Sequence, residues 1–552
     1  MTNLKLETMT RIKLIVFTAL LLLSSVSYGQ KLPQQMGLEV ITKEAIQAQL
    51  EFLASDWTEG RETGEKGIYL AGDYVASMFK YVGVQPAGDL QMRFSRRMMG
   101  GGRGAPPAPT RSYFQNFTLL EPLPGGSSVL SVKSANREFF FHENVDFRVG
   151  SATVSSKVTG PVVFIGYGIK NEDLGLDDFT NIDLRGKIVV RLSGYPGNKD
   201  PESEMYKKIN ADRMVAFQLN RGRNQALEGK GILAVIDINL DGNIDNSFGE
   251  FRFDNNPAPN EGRRSPSGWS RLRLDNPELP DAPAVISVTS KIAKAIMGSY
   301  DIAKYESDAA KASYKFKPVP ITGTTLGLEV NVRARRINVR NVVAMIEGEN
   351  PDEFIAVGAH MDHMGMGDGQ IWNGADDNAS GTVGVMTLAR AFAATGVKPK
   401  RTIVFCAWTG EEKGLLGSEY FTRNPPVGSI GQYRFYLNYD MISRDAANDT
   451  ARVNVGVTYN KDYPYLEEIS RKYADQYGLK MNYTYRAQEK PTGGSDYTAF
   501  TNNNIPIIAV MAAMHPEYHT PADEISLVNW DKMLEIIKLG FLDLWDIANS
   551  DF

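Results

Sequence analysis

Gly358-Ala-His360-Met-Asp362-His363-Met-Gly365, followed closely by Asn373-Gly-Ala-Asp376-Asp377-Asn-Ala-Ser-Gly381, decides how this chain folds. Imidazoles and carboxylates at short spacing, punctuated by glycines, are groups that bind divalent metal ions. The residues leading in, Phe354-Ile-Ala-Val-Gly-Ala359, form an apolar run too short for a helix. They read as a buried strand that delivers His360 and Asp362 at its end. Ala379 to Ala394 then reads as a helix, with Val383, Met386, Leu388 and Ala389 as apolar positions. Asp376 and Asp377 therefore fall between a strand and a helix, where α/β folds place their active sites. Four of the chain's 5 histidines (His360, His363, His515, His519) lie in two short clusters, which scatter alone would rarely produce.

Working outward, further strands are expected at Asn341–Ile346, Ile403–Trp408, Phe435–Tyr439 and Ile505–Val510. Helices are expected near 412–423, 462–477 and 530–548. This alternation predicts an α/β fold, a mostly parallel central sheet with helices on both faces. Each candidate ligand falls just after one of these strands, on one side of one sheet. Upstream, Ile46, Leu50 and Leu53 share a helical face behind a Thr42 cap, and Ile68, Ala71, Val75 and Phe79 share another. Glu59–Gly64 reads as a turn-rich link between them. Phe94–Arg111, with Gly100-Gly-Gly-Arg-Gly104 and three prolines, reads as an exposed loop; no strand leads into it and no Lys-Ser/Thr follows, so phosphate cradling is not expected. The middle of the chain turns β-rich, for example at Pro161–Tyr167, Leu184–Val190, Gly231–Ile236 and Pro283–Val288. The expected division is 1–29 as a signal peptide, 30–150 as the first part of the main domain, 151–325 as an insert with its own core, and 326–552 as the main domain's remainder.

Composition sets bounds. A chain of 552 residues accommodates two or more domains. With 60 basic against 65 acidic residues, nothing suggests a nucleic-acid partner. Lys5, Arg11 and Lys13 precede the apolar run Leu14–Leu23, and small residues lead to Ser27-Tyr-Gly29. That pattern predicts export to the periplasm or beyond, with cleavage near Gly29 or Gln30 and no stable membrane insertion afterwards. The run is short of the roughly 20 residues a membrane span needs. The sole cysteine, Cys406, sits in a probable core strand and reads as packing rather than nucleophile.

Ligands of suitable type stand at five places: His360, Asp376, Glu411/Glu412, Asp440 and His519 in Glu517-Tyr-His-Thr-Pro521. Imidazole and carboxylate without thiolate suit catalytic zinc. Three carboxylates and two histidines are too many for one open tetrahedral ion, but they fit two ions sharing a carboxylate. Two metals about 3.5–4 Å apart lower the pKa of a shared water and stabilise the oxyanion that follows attack. Of the adjacent pair Glu411-Glu412, one can bind metal while the other acts as general base. Asp362 is spaced to orient the His360 imidazole. Asp377 reads as shaping the turn, His515 as structural or at the rim, and Asp496 as at best a candidate on the substrate side or behind the ligands. Trp372 and Met364 are open between pocket and packing.

Together these motifs resemble the secreted di-zinc aminopeptidase family, whose superfamily includes glutamate carboxypeptidases, glutaminyl cyclases and transferrin receptors. The matching pieces are His360-Met-Asp362, Gly374-Ala-Asp376-Asp377-Asn-Ala-Ser-Gly381, Glu411-Glu412, Asn438-Tyr-Asp440-Met441, Gly494-Ser-Asp496 and Tyr518-His519-Thr-Pro-Ala-Asp523. The insert, with Leu184-Arg-Gly-Lys187, resembles a protease-associated domain. The resemblance implies two zinc ions per chain, bridged by Asp376, with His360 and Asp440 completing one site and Glu412 and His519 the other. It implies Glu411 as general base, Asp362 behind His360, Tyr518 as hydrogen-bond donor to the oxyanion, and Met441 lining the pocket. His363 stands where members commonly carry other residues, open between solvent and a supporting place. Peptides are the implied substrates, cleaved from the N-terminus. The alternative is a carboxypeptidase or dipeptidase of the glutamate carboxypeptidase kind, with Arg444 or Arg486 reaching the substrate carboxylate.

Overall fold

The computed structural model describes residues 32–91, 109–240 and 272–550, apart from 124–126, 136, 152–154, 212, 228 and 276–282. The expected signal peptide, the Gly100–Gly104 loop and most of Asp254–Pro280 lie outside the described residues. Among the described residues, no helix is long and apolar enough to cross a membrane.

The fold is α/β. The large sheet is built from β1 (Phe114–Leu123), β2 (Arg333–Ile346), β3 (Asn350–His360), β4 (Arg401–Trp408), β5 (Tyr433–Tyr439), β6 (Asn454–Asn460), β7 (Asn482–Gln488) and β8 (Ile507–Met511), with the two-residue strands Gln85–Pro86 on β2 and Arg273–Leu274 on β1. Their order is β1-β2-β4-β3-β5-β8-β6-β7. The four strands β4, β3, β5 and β8 are parallel, as the apolar runs predicted. The flanks are antiparallel: β2 against β4, β1 against β2, and β6 against β8. β6 and β7 pair parallel again, so the sheet is mixed, with a parallel centre and four of the seven pairings among these strands parallel. Strands β6 and β7 carry no apolar run: β6 alternates buried with part-buried residues and β7 exposed with part-buried ones, the pattern of a sheet edge.

Side-chain alternation along β3 and β4 fills both faces. Ile355, Val357, Ala359, Ile403, Phe405 and Ala407 face a core shared with α1 (Lys43–Leu53), α2 (Lys66–Tyr81), α3 (Gly381–Ala394) and α4 (Trp530–Asn549). Phe354, Ala356, Val404, Cys406 and Trp408 face the opposite core, which Phe421, Ala499 and Phe500 close. Thr42 caps α1 as expected, accepting from the Ala45 N–H. Cys406 is a buried core residue.

The insert has its own eight-stranded sheet and its own core around Ile188, Val190, Ile236, Ile286 and Leu326. Its limits differ from 151–325. Val129–Ser134 and Arg137–His142 belong to it, through pairing of Val129–Ser134 with Val319–Val330. Leu123 and Arg333, on either side of the insert, are register partners across β1 and β2, and the short strand Arg273–Leu274 between them pairs back onto β1. The boundary is thus a strand pair separated by the whole insert, which no local composition shift marks.

Gly540, in the middle of α4, marks where this helix seats on the sheet: a Cβ there would overlap the Tyr439 hydroxyl. Alanine favours helix by about 1 kcal/mol over glycine, but overpacking a core costs about 1–3 kcal/mol. Gly540→Ala is expected to lower stability in denaturant titration. A gain in stability would show that α4 does not press on Tyr439.

Candidate metal centre

The parallel strands end together, and the residues just beyond them meet. His360 closes β3, Glu411 and Glu412 follow β4, Asp440 follows β5, and His519 lies in the loop after β8. His360 Nε2 lies 3.3 Å from Asp377 Oδ1, 3.4 Å from Asp440 Oδ1 and 3.9 Å from Glu411 Oε2. His519 Nε2 lies 3.1 Å from Asp377 Oδ2 and 3.2 Å from Glu412 Oε2. One carboxylate, Asp377, thus presents one oxygen to each imidazole.

That carboxylate is not the expected one. Asp376 points the other way: its Oδ1 accepts from the Ser443 N–H (2.7 Å) and hydroxyl (2.8 Å), and its Oδ2 lies 3.3 Å from His515 Nε2. Adjacent side chains in the irregular Ala375–Ser380 turn project apart, so only one of the two aspartates can enter the centre. The Asp523 carboxylate fixes which one, accepting the backbone N–H groups of both Asp376 and Asp377. Asp376 instead ties this turn to the loop that carries Asp440. His515 is buried, its Nε2 3.3 Å from Asp376 and its Nδ1 3.3 Å from Glu517.

Asp362 also does something other than expected. His360 Nδ1 is 3.1 Å from the Asp362 backbone carbonyl and 3.8 Å from its carboxylate. The carboxylate accepts instead from the Thr63 hydroxyl (2.7 Å) and the Glu411 N–H (3.2 Å), with the Glu412 N–H at 3.4 Å. It positions the pair Glu411-Glu412, and the main chain orients His360.

The charges are crowded. Burial would lower the His360 pKa, but Glu411, Asp440 and Asp377 outweigh it and hold the imidazole well above its ordinary range. Burial likewise opposes ionisation of Glu412, yet His519 and His363 bring its carboxyl down to about 2. Glu411 moves the other way: burial, reinforced by Glu412, Asp496 and Asp440, raises it well above the usual carboxylate range. Tyr518 stacks on His519, ring centroids 3.8 Å apart, and burial among these carboxylates raises its hydroxyl far above ordinary. Asp496 is fully buried, its carboxyl pushed up to about 7 by burial. Trp372, Met364 and Met441 are all buried.

The sequence reading missed the segment that holds this centre together. Arg61, read as part of a turn-rich link, is completely buried. It donates to the carbonyls of Met361 (2.8 Å), Leu53 and Asn373 (2.6 Å each) and Gly374 (2.9 Å). It therefore joins the loop after β3 to the loop carrying Asp377. Beside it, Glu62 pairs with Lys413 at 2.9 Å. Nothing local in Glu59–Gly64 betrays this, because three of the four acceptors lie 300 or more residues away.

Residues 341–540 match the model of Peptidase family M28. Aminopeptidase Y of Saccharomyces cerevisiae is 29% identical over 216 residues, 37% of this chain and 38% of that protein. Leucine aminopeptidase 2 of Trichophyton rubrum is 33% identical over 170 residues, 30% of this chain and 32% of that protein. The chain thus matches about a third of the length of these curated relatives. Among solved structures, the zinc aminopeptidase BSAP from Bacillus subtilis aligns over 93% of this chain and 96% of its own, at 17% identity and a TM-score of 0.44.

Arg61→Leu withdraws the donor from buried carbonyls, each worth about 1–3 kcal/mol when left unsatisfied. The expected loss of stability is about 2–5 kcal/mol in denaturant titration. A change below about 1 kcal/mol would show that the guanidinium does not hold these loops.

Proposed function

We propose that this chain is an exported di-zinc metallo-aminopeptidase that removes residues from the N-termini of peptides. The observation that carries the reading is the sharing of Asp377 between His360 and His519. Donors about 2.0–2.1 Å from a tetrahedral zinc stand about 3.3 Å from one another. The four separations His360–Asp377, His360–Asp440, His519–Asp377 and His519–Glu412 are 3.3, 3.4, 3.1 and 3.2 Å. The residues present therefore fit two zinc ions: His360 and Asp440 would hold one, His519 and Glu412 the other, and Asp377 both. Bound zinc supplies Lewis-acid polarisation of the scissile carbonyl and a lowered pKa for water.

The chain's own groups then divide the work. Glu411, 3.9 Å from His360 beside the ligand set, accepts the proton of the attacking water and passes it to the leaving amine. Tyr518 keeps its hydroxyl proton and can donate to the oxyanion as it develops. The substrate's α-amine is held by carboxylates, with Glu411 and Asp440 at hand. Partner residues for a substrate carboxylate are lacking among the candidates. Arg444 is buried against Glu517 at 2.5 Å and Asp523 at 3.6 Å. Arg486 is on β7, three strands from β5, or about 14 Å at the usual strand spacing. That favours aminopeptidase over the carboxypeptidase alternative, as do the relatives named aminopeptidases. The charged start and apolar run of residues 1–29 support export, and Leu184-Arg-Gly-Lys187 supports a protease-associated insert.

Two measurements test this reading. Glu411→Gln is expected to retain two zincs and lose about 10²–10⁴-fold in turnover, while Glu412→Gln loses affinity for one zinc and recovers partly in excess metal. Zinc loss in the first variant alone would reverse the two roles. Acetylating a peptide's N-terminus is expected to abolish cleavage, and amidating its C-terminus to matter little; the opposite pattern selects the carboxypeptidase.

A further inference from the structure

His363 is fully buried. Its N–H donates to the Arg61 carbonyl at 3.2 Å, and its ring stands edge-on to His519, centroids 5.7 Å apart. The ring also lies so close to Gly374 that any Cβ there would collide with it, so both neighbouring loops are shaped around this imidazole. Its Nδ1 lies 2.8 Å from Glu412 Oε1 and 3.7 Å from Asp377 Oδ2. The first distance is that of a hydrogen bond. Neither matches the roughly 3.3 Å between donors sharing a tetrahedral zinc. Meanwhile Glu412 Oε2, the other oxygen of the same carboxylate, faces His519 at 3.2 Å.

We propose that His363 is a positioning residue: its Nδ1–H donates to Glu412 Oε1 and leaves that carboxylate one oxygen, Oε2, for the centre it shares with His519 and Asp377. Released from this bond, the Glu412 carboxylate is free to rotate, and the ion it helps to hold binds more weakly. The other ion, served by His360, Asp440 and Asp377, has no contact with His363 in this arrangement. The inference rests on the two-zinc reading above, and it concerns one residue's effect on one of the two sites.

Two isosteres separate the ring nitrogens. His363→Asn places an amide N–H near Nδ1, and His363→Gln places it near Nε2. Each variant and the parent chain are titrated with zinc against a competing chelator. The parent is expected to bind two ions. His363→Gln is expected to weaken one binding step by about 10–100-fold, the scale of losing a hydrogen bond to a metal ligand, and to leave the other within about twofold. His363→Asn is expected to restore most of the loss. Unchanged titration of His363→Gln overturns the proposal, as does equal weakening of both steps, which a merely structural role would give. Loss of one step in both variants overturns it too, making His363 a ligand itself. A parent that binds no zinc removes the two-zinc reading and the inference together, an outcome distinct from the others.

Discussion

Four carboxylates, Asp377, Glu411, Glu412 and Asp440, converge at the end of one sheet with the imidazoles of His360 and His519 between them. Like charges about 4 Å apart repel by about 4 kcal/mol even at an effective dielectric of 20. Such a cluster persists only if its backbone is held rigidly and its charge is offset. The surrounding structure supplies the rigidity. Asp523 grips the two N–H groups of the Asp376-Asp377 turn, Asp362 grips those of Glu411 and Glu412, and Arg61 grips the carbonyls of both adjoining loops. Buried charge here is held through main-chain hydrogen bonds, which fix loops rather than single side chains.

This division explains what the sequence disclosed. His360, Glu411, Glu412, Asp440 and His519 were legible because each follows an apolar strand, and parallel strands deliver their ends to one place. The choice between Asp376 and Asp377 was not. Two adjacent aspartates look alike in sequence, and what separates them is which way a short irregular turn is pinned by Asp523, nearly 150 residues later. Arg61 was illegible for the same reason at greater range. His363 could be listed but not assigned, since its partner Glu412 is 49 residues on.

The fold was read well where burial is two-sided and poorly where it is one-sided. β3, β4, β5 and β8 announce themselves as apolar runs. β6 and β7 do not, nor does the pairing of Leu123 with Arg333 that defines the insert's base. Antiparallel flanks on a parallel centre follow from long-range pairing, which periodicity alone does not encode.

The reach of Arg61 also bears on how the molecule is made. On a ribosome adding about 5–20 residues per second, this guanidinium emerges about 15–60 s before Met361, the first of its distant acceptors, 300 residues downstream. Throughout that interval α1 and α2 lack the parallel strands they pack on, whereas by its end the insert, with its separate core, has received all of its strands, Val319–Val330 the last. Vectorial synthesis therefore lets the middle of the chain fold before its beginning, and the N-terminal helices wait as passengers until the last third of the polypeptide arrives.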